Sequence, residues 1–203
     1  METAEPAAAA TRARLVQAAI KLFTRHGYAG TSLQMIADEL GFTKAAIYYH
    51  FRTREQLLSA VVEPLLTQLQ AVVETAERQR GAQARAEQMV RGYAELAVNN
   101  RALVSVLAGD PSVNDTLRAH PEWGSIIDRQ MKLLADTDPG PAGMVKATVV
   151  YSGFAGAASP TSEPVAGDEL YRLLVDTGRR ILGLRASRRP KELDIQGISK
   201  GTR

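Results

Sequence analysis

Apolar residues recur along this chain three and four positions apart, the spacing of one helix face, and no stretch alternates with the period of two that a half-buried strand needs. Leu15, Val16, Ala19, Ile20 and Phe23 form one stripe, and Gly27 follows as a C-terminal stop. Short helices are predicted over 32–40 and 44–50. A long one is predicted over 54–79, with Leu57, Val61, Leu65, Leu69, Val72 and Ala76 on one face. Pro64 inside it should kink it, because proline removes a backbone hydrogen bond and crowds the preceding turn. Beyond Gly81 the pattern predicts helices over 83–99, 102–108, 113–119, 122–135, 142–158 and 168–185. Asp110-Pro111, His120-Pro121, the loop Asp138-Pro139-Gly140-Pro141 and a Pro-containing loop at 159–166 divide them. The expectation is an all-α chain without internal repeats. Residues 1–10 read as a disordered Ala-rich tail and 186–203 as a flexible basic tail, which leaves 11–53 and 54–185 as two units.

The punctuation is densest between residues 31 and 56. Thr31 can cap a helix, with Gln34 closing a capping box; Leu33, Ile36, Ala37 and Leu40 make its apolar face, and Gly41 can end it in the left-handed conformation. Thr43 caps the next helix, Phe42 and Ile47 can staple its entry angle, and Thr53 with Gln56 repeats the box for the long helix. Two short helices joined by a tight glycine turn are the helix-turn-helix pattern. With Ile47 inward, the second helix offers Lys44, Ala45, Tyr48, Tyr49 and His50 to its other faces. Lys44 supplies charge near the helix start, Thr43 a hydroxyl and an N–H suited to phosphate, and the small Ala45 allows close approach or contact with a thymine methyl.

Charge sharpens this picture. The whole chain of 203 residues carries a formal net charge of +3, yet Arg12, Arg14, Lys21, Arg25, Lys44, Arg52 and Arg54 face only Asp38 and Glu39 within 12–54, a local excess of +5. Such a surface attracts phosphates. Without cysteine there is no disulfide or thiolate chemistry. The three histidines, His26, His50 and His120, are scattered. No G-x-S-x-G, H-E-x-x-H, phosphate loop or G-x-G-x-x-G occurs, so neither an enzyme, a metal site nor a cofactor is expected. No apolar run approaches the length of a membrane span, and Glu2 and Glu5 before the four alanines do not make a signal peptide; a cytoplasmic protein is expected.

The run Thr43-Lys44-Ala45-Ala46-Ile47-Tyr48-Tyr49-His50-Phe51, continued by Arg52-Thr53-Arg54-Glu55-Gln56-Leu57-Leu58, resembles the signature of the tetracycline-repressor (TetR) family of bacterial regulators. Ala18-Ala19-Ile20-Lys21-Leu22-Phe23, His26-Gly27-Tyr28 and Thr31-Ser32-Leu33-Gln34-Met35-Ile36-Ala37 are similar to the same family's first helix, the turn after it and its second helix. The resemblance covers about residues 12–60. It implies an all-α homodimer with an N-terminal three-helix DNA-binding domain and a helical ligand-binding and dimerisation domain. Carried onto this chain, it makes Thr43, Lys44, Ala45, Tyr48, Tyr49 and His50 the recognition-helix positions. It also brings Thr31, Ser32 and Arg54 to the DNA backbone. One of the tyrosine pair packs or reaches a phosphate while the other nears bases, with the assignment between them open.

The resemblance further implies that the helices at 142–158 and 168–185 form the dimer's four-helix bundle. Ser152, Gly153, Gly156 and Ala157 would admit a neighbouring helix, and Leu170, Leu173, Leu174, Thr177, Ile181 and Leu184 form the last stripe. A ligand pocket should be apolar with a few polar groups. Its candidate liners are Met89, Tyr93, Leu96, Leu107, Trp123, Ile127, Met131, Met144, Tyr151 and Phe154, a set suited to a small apolar effector. The expected function is repression from a palindromic operator, relieved by that effector. An activator or a ligand-independent DNA-binding protein of the same fold is the alternative.

Overall fold

The computed structural model of the chain describes residues 4–109, 113, 116, 117, 120–159 and 165–185; the side chains of 4–6, 105 and 107–109 are not among those described. Nine helices are described: α1 (Ala4–His26), α2 (Leu33–Glu39), α3 (Lys44–His50), α4 (Arg54–Glu77), α5 (Ala82–Asn99), α6 (Arg101–Gly109), α7 (Pro121–Ala135), α8 (Pro141–Ala158) and α9 (Gly167–Leu182). No strand occurs among the described residues. Of the helix expected over 113–119, Val113, Thr116 and Leu117 are helical, and the remainder lies outside the described residues, as does the tail at 186–203.

Residues 4–10, expected within a disordered tail, instead extend α1. Alanine has the highest helix propensity, and residues 7–10 only propagate a helix already nucleated by the packed stretch beyond Leu15. The last helix ends at Leu182 rather than at 185, because Gly183 takes φ +65° and its N–H turns back to the Arg179 and Arg180 carbonyls. α4 runs on through Pro64 to Glu77. By length and hydropathy α4 could cross a membrane, which a count of uninterrupted apolar residues does not reveal; half of its apolar window is buried within this protein.

The two short helices α2 and α3 are joined to the rest through α1, which packs on α2, α4 and α6. α4 packs along α5 and α7; α8 lies against α6, α7 and α9, and α9 returns to α5. One continuous apolar core results, from Leu15 in α1 to Leu182 in α9. At Gly178 an added Cβ would come within 2.8 Å of the Phe154 ring and 3.0 Å of Val90. The absence of a side chain there is what lets α9 sit down on α8 and α5. Around the core, polar pairs tie helix to helix. Arg129 of α7 grips Glu77 of α4 through two hydrogen bonds of 2.9 and 2.6 Å. Arg179 of α9 meets Glu87 of α5 at 3.1 Å. Arg101 donates to the carbonyls of Ala158 and Val165, holding the start of α6 against the α8–α9 connection.

Candidate nucleic-acid interface and inner cavity

The α2–turn–α3 unit is built from its caps. Ser32, not Thr31, caps α2: its hydroxyl oxygen accepts from the Met35 N–H at 3.1 Å. Thr31 lies one residue too early. It is 1% exposed, and its hydroxyl donates to the Gly27 carbonyl at 2.8 Å, tying the start of α2 to the end of α1. Gln34 therefore closes no capping box and bonds Asp38 along the helix instead. Gly41 ends the turn at φ +66°. Thr43 then caps α3 by accepting from the Ala46 N–H at 3.2 Å. Ile47 is fully buried and Phe42 is partly buried against the same core, the arrangement a staple requires. Thr53 caps α4, and Gln56 reaches back to the Arg52 N–H at 2.9 Å.

This scaffold leaves one face of α3 in solvent. Thr43, Lys44 and Ala45 are exposed; Tyr48 is 42% and Tyr49 80% exposed, while His50 is half-buried with its ring edge-on to Tyr49. The Lys44 ammonium lies 5.7 Å from the Tyr48 ring centre, so Tyr48 carries a cation over its face and Tyr49 projects free of the core. Ser32 is exposed beside them at the N-terminus of α2. Two arginines of α1 flank α3. Arg14 stacks on Phe42 at 4.9 Å and Arg12 on Phe51 at 5.1 Å, both exposed at either end of the helix. From the sequence both count only toward the local positive charge. Their aromatic partners stand 28 and 39 residues away, a separation no local pattern encodes.

Arg54, expected at the DNA backbone, is turned inward. Its guanidinium stacks 4.5 Å above the Tyr28 ring and donates to the carbonyls of Tyr28, Ala29 and Thr31 at 3.3, 3.0 and 3.2 Å. Three carbonyls gathered on the one nitrogen Nη1, with the guanidinium plane on the Tyr28 ring, tie this cation to the α1–α2 turn. The Tyr28 hydroxyl reaches Glu55 at 3.3 Å. Burial, and then the Glu55 charge, push the Tyr28 pKa up. The Glu55 carboxyl is held below its usual range by its own backbone N–H and by the Thr53 and Tyr28 hydroxyls. Lys21 pairs with Glu39, whose carboxyl that hydrogen bond and charge hold low. With Lys21 paired and Arg54 turned inward, the exposed cations left of the seven are Arg12, Arg14, Arg25, Lys44 and Arg52.

In the second unit, Tyr93, Leu96, Ile127 and Tyr151 line a small inner cavity, with Leu65, Leu66 and Leu69 of α4, Val104 of α6, Gln130 of α7 and Leu117. Met131 and Met144 instead line an open groove between α7 and α8, which Ile127 and Tyr151 also border. Met144 is 48% exposed there, because its side of α8 faces away from the core. Met89, Trp123 and Phe154 line neither space: they are core, with Phe154 stacked on Tyr93 and Trp123 on His120. The Leu107 side chain lies outside the described residues. Sequence reading missed the α4 leucines, taken as packing only, and Gln130. A signal for Gln130 existed: it falls seven residues after Trp123 and four before Leu134, in register with the buried stripe of α7.

An exposed, capped α3 behind a glycine turn defines a helix-turn-helix protein. Residues 15–61 match the family model described as bacterial regulatory proteins, tetR family. The chain therefore carries a tetR-family N-terminal domain. It is 40% identical over 55 residues to the HTH-type transcriptional regulator TtgR of Pseudomonas putida, over 27% of this chain and 26% of that protein. It is 43% identical over 49 residues to a probable acrEF/envCD operon repressor of Escherichia coli, over 24% and 22%. These two matches span about a quarter of the relatives' own lengths. Among solved structures, a tetR-family regulatory protein from Rhodococcus RHA1 superposes with a TM-score of 0.62 at 22% identity, covering 87% of this chain and 98% of that one. The ketosteroid transcriptional regulator KstR2 of Mycobacterium tuberculosis gives 0.61 at 18%, covering 85% and 93%. At these identities the likeness is one of fold.

Proposed function

We propose that this chain is a sequence-specific DNA-binding transcriptional regulator: a cytoplasmic homodimer that represses from a palindromic operator and is released by a small apolar effector. The observation that carries this reading is the solvent-facing side of α3, where Tyr49, Tyr48, Lys44, Ala45 and Thr43 stand outward on a helix fixed by caps at its N-terminus and by buried Ile47. A helix so mounted fits the major groove. Thr43 and Lys44 would meet phosphate, Tyr49 would reach base edges, and Ala45 would permit close approach. Ser32 would add a backbone contact, and His50 would support Tyr49. Arg12 and Arg14 would bring positive charge to both ends of the footprint.

One seven-residue helix reads few bases, so a twofold pair is required for a unique site. The outer sides of α8 and α9 suit that pairing. Val145 and Val149 are 63% and 49% exposed, Leu173 is 52% exposed, and Ser152, Gly153 and Ala157 are small and exposed. The effector acts by binding one spacing of the two α3 helices more tightly than the other, since a ligand shifts an equilibrium only by its difference in affinity. Unbiased selection of bound DNA fragments tests the reading. It predicts enrichment of a twofold-symmetric site whose half-sites lie about one helical turn apart. Failure to enrich any site would remove sequence-specific regulation from consideration.

A further inference from the structure

The inner cavity holds one polar side chain with nothing to bond. Gln130 of α7 is fully buried, and neither its amide nitrogen nor its carbonyl oxygen has a hydrogen-bond partner. Buried amides are almost always paired, and an unpaired one is costly. Apolar and aromatic residues surround it. The cavity walls include leucines of α4, Leu96, Tyr93 and Tyr151, and none of the described lining residues is charged. Tyr93 donates its hydroxyl to the Tyr151 carbonyl at 3.0 Å, so its proton is not available to the amide. Tyr93 stacks nearly parallel between Tyr151 and Phe154, with centroids 5.8 and 5.6 Å apart, which fixes the two tyrosine rings that line the cavity.

We propose that Gln130 is the recognition point for an uncharged ligand whose head pairs a hydrogen-bond donor with an adjacent acceptor, as a primary amide or lactam does, on a flat apolar body. This rests on the reading that the inner cavity receives the effector. The side-chain amide of Gln130 offers the complementary acceptor and donor side by side, so one such head satisfies both atoms at once. A charged head is disfavoured: no opposite charge lines the cavity among the described residues, and burying an unpaired ion is far more costly than burying an amide. The Tyr93 and Tyr151 rings offer aromatic surface to the flat body. At about 30 Å³ the cavity leaves little room beside Gln130. Leu117, Ile127 and Tyr151 border both it and the open groove between α7 and α8, so the ligand would enter from the groove by moving these three side chains.

The test uses the full chain with two ring amides, benzamide and 2-naphthamide, against their hydrocarbon counterparts toluene and 2-methylnaphthalene, and against 2-naphthoate. Binding is measured directly by calorimetry in the absence of DNA. The expected result is that at least one amide binds about tenfold or more tightly than its hydrocarbon, and that 2-naphthoate binds more weakly than 2-naphthamide. In Gln130→Met, close in volume, and in Gln130→Leu that preference disappears, while the variants melt at the same or a higher temperature than the parent. Equal binding of amide and hydrocarbon, a preference that survives both substitutions, or a clear loss of melting temperature in both variants would each overturn the assignment. The last would show that the amide is bonded within the fold. An amide that binds through Gln130 without weakening DNA binding would leave the site standing and remove the ligand-release reading. Absence of amide preference with intact DNA selectivity would do the reverse.

Discussion

Single residues decide the geometry of the proposed reading head. Gly41 has φ +66°, and a Cβ there would meet nothing within 4 Å, so its role is purely conformational. Gly41→Ala should lower stability by about 1–2 kcal/mol through backbone strain alone, with Gly41→Asn costing less, as urea denaturation would measure. Lys44 is exposed and lies over Tyr48. As a phosphate contact, its replacement by Ala should weaken DNA binding on every sequence and shallow the salt dependence by about one unit. An unchanged slope would take Lys44 off the phosphates. At this scale the sequence was legible where chemistry is local. Thr43, Gly41 and Ile47 follow from capping and periodicity, whereas Thr31 and Arg54 do not. Their partners, Gly27 and the Tyr28–Thr31 carbonyls, belong to a tertiary turn, and a threonine or arginine looks the same in sequence whether it faces solvent or a carbonyl.

Elements are held to one another by a few polar clasps across the core. Arg54 is the clasp between α4 and the α1–α2 turn. Arg54→Ala should cost about 1–3 kcal/mol, the range for leaving buried polar groups unanswered. Arg54→Lys should recover only part of this, since an ammonium cannot reproduce the planar stack on Tyr28. Thermal melts of the two variants would rank them. The Glu77–Arg129 clasp joins α4 to α7, and the Arg129 hydrogen bonds hold the Glu77 carboxyl below its usual range. A depressed carboxylate contributes stability above its unfolded value, near 4.5, and loses it as the pH falls through the lower folded value. The pair is well exposed to solvent, so Glu77→Gln should cost at most about 1 kcal/mol at neutral pH and nothing once Glu77 is protonated. A gap between the two melting curves that persists at low pH would contradict this. Helix boundaries were legible almost throughout, because glycine, proline and the 3.6-residue period are local signals. The start of α1 was not, because an Ala-rich segment is helical or not according to what it is attached to.

At the scale of the whole molecule, the continuous core from α1 to α9 connects the proposed DNA-reading and ligand-holding units. α1 packs on both α4 and α6 and on α2, so in the proposed mechanism movement of either helix would reach the α2–α3 pair through α1. The sequence made the two units legible but not their inner space. Ten liners were expected, and the structure gathers only some of them, since apolar periodicity shows which side of a helix is buried and not whether the burial leaves a cavity. The outward faces of α8 and α9 are the proposed surface for a second copy. Val149→Asp combined with Leu173→Asp should yield a monomer in sedimentation without loss of helicity, and should weaken operator binding by more than tenfold. A dimer that survives both charges would place the interface elsewhere.

The account turns on the exposed face of α3. On a DNA site obtained by selection, affinity should be compared between the parent chain and the double variant Lys44→Ala, Tyr49→Ala. Both side chains are exposed, so the fold should be unaffected and the melting temperature unchanged. The account predicts a loss of affinity of at least about tenfold on the selected site, with discrimination against unrelated DNA largely gone. Undiminished affinity and discrimination in a folded double variant would contradict it.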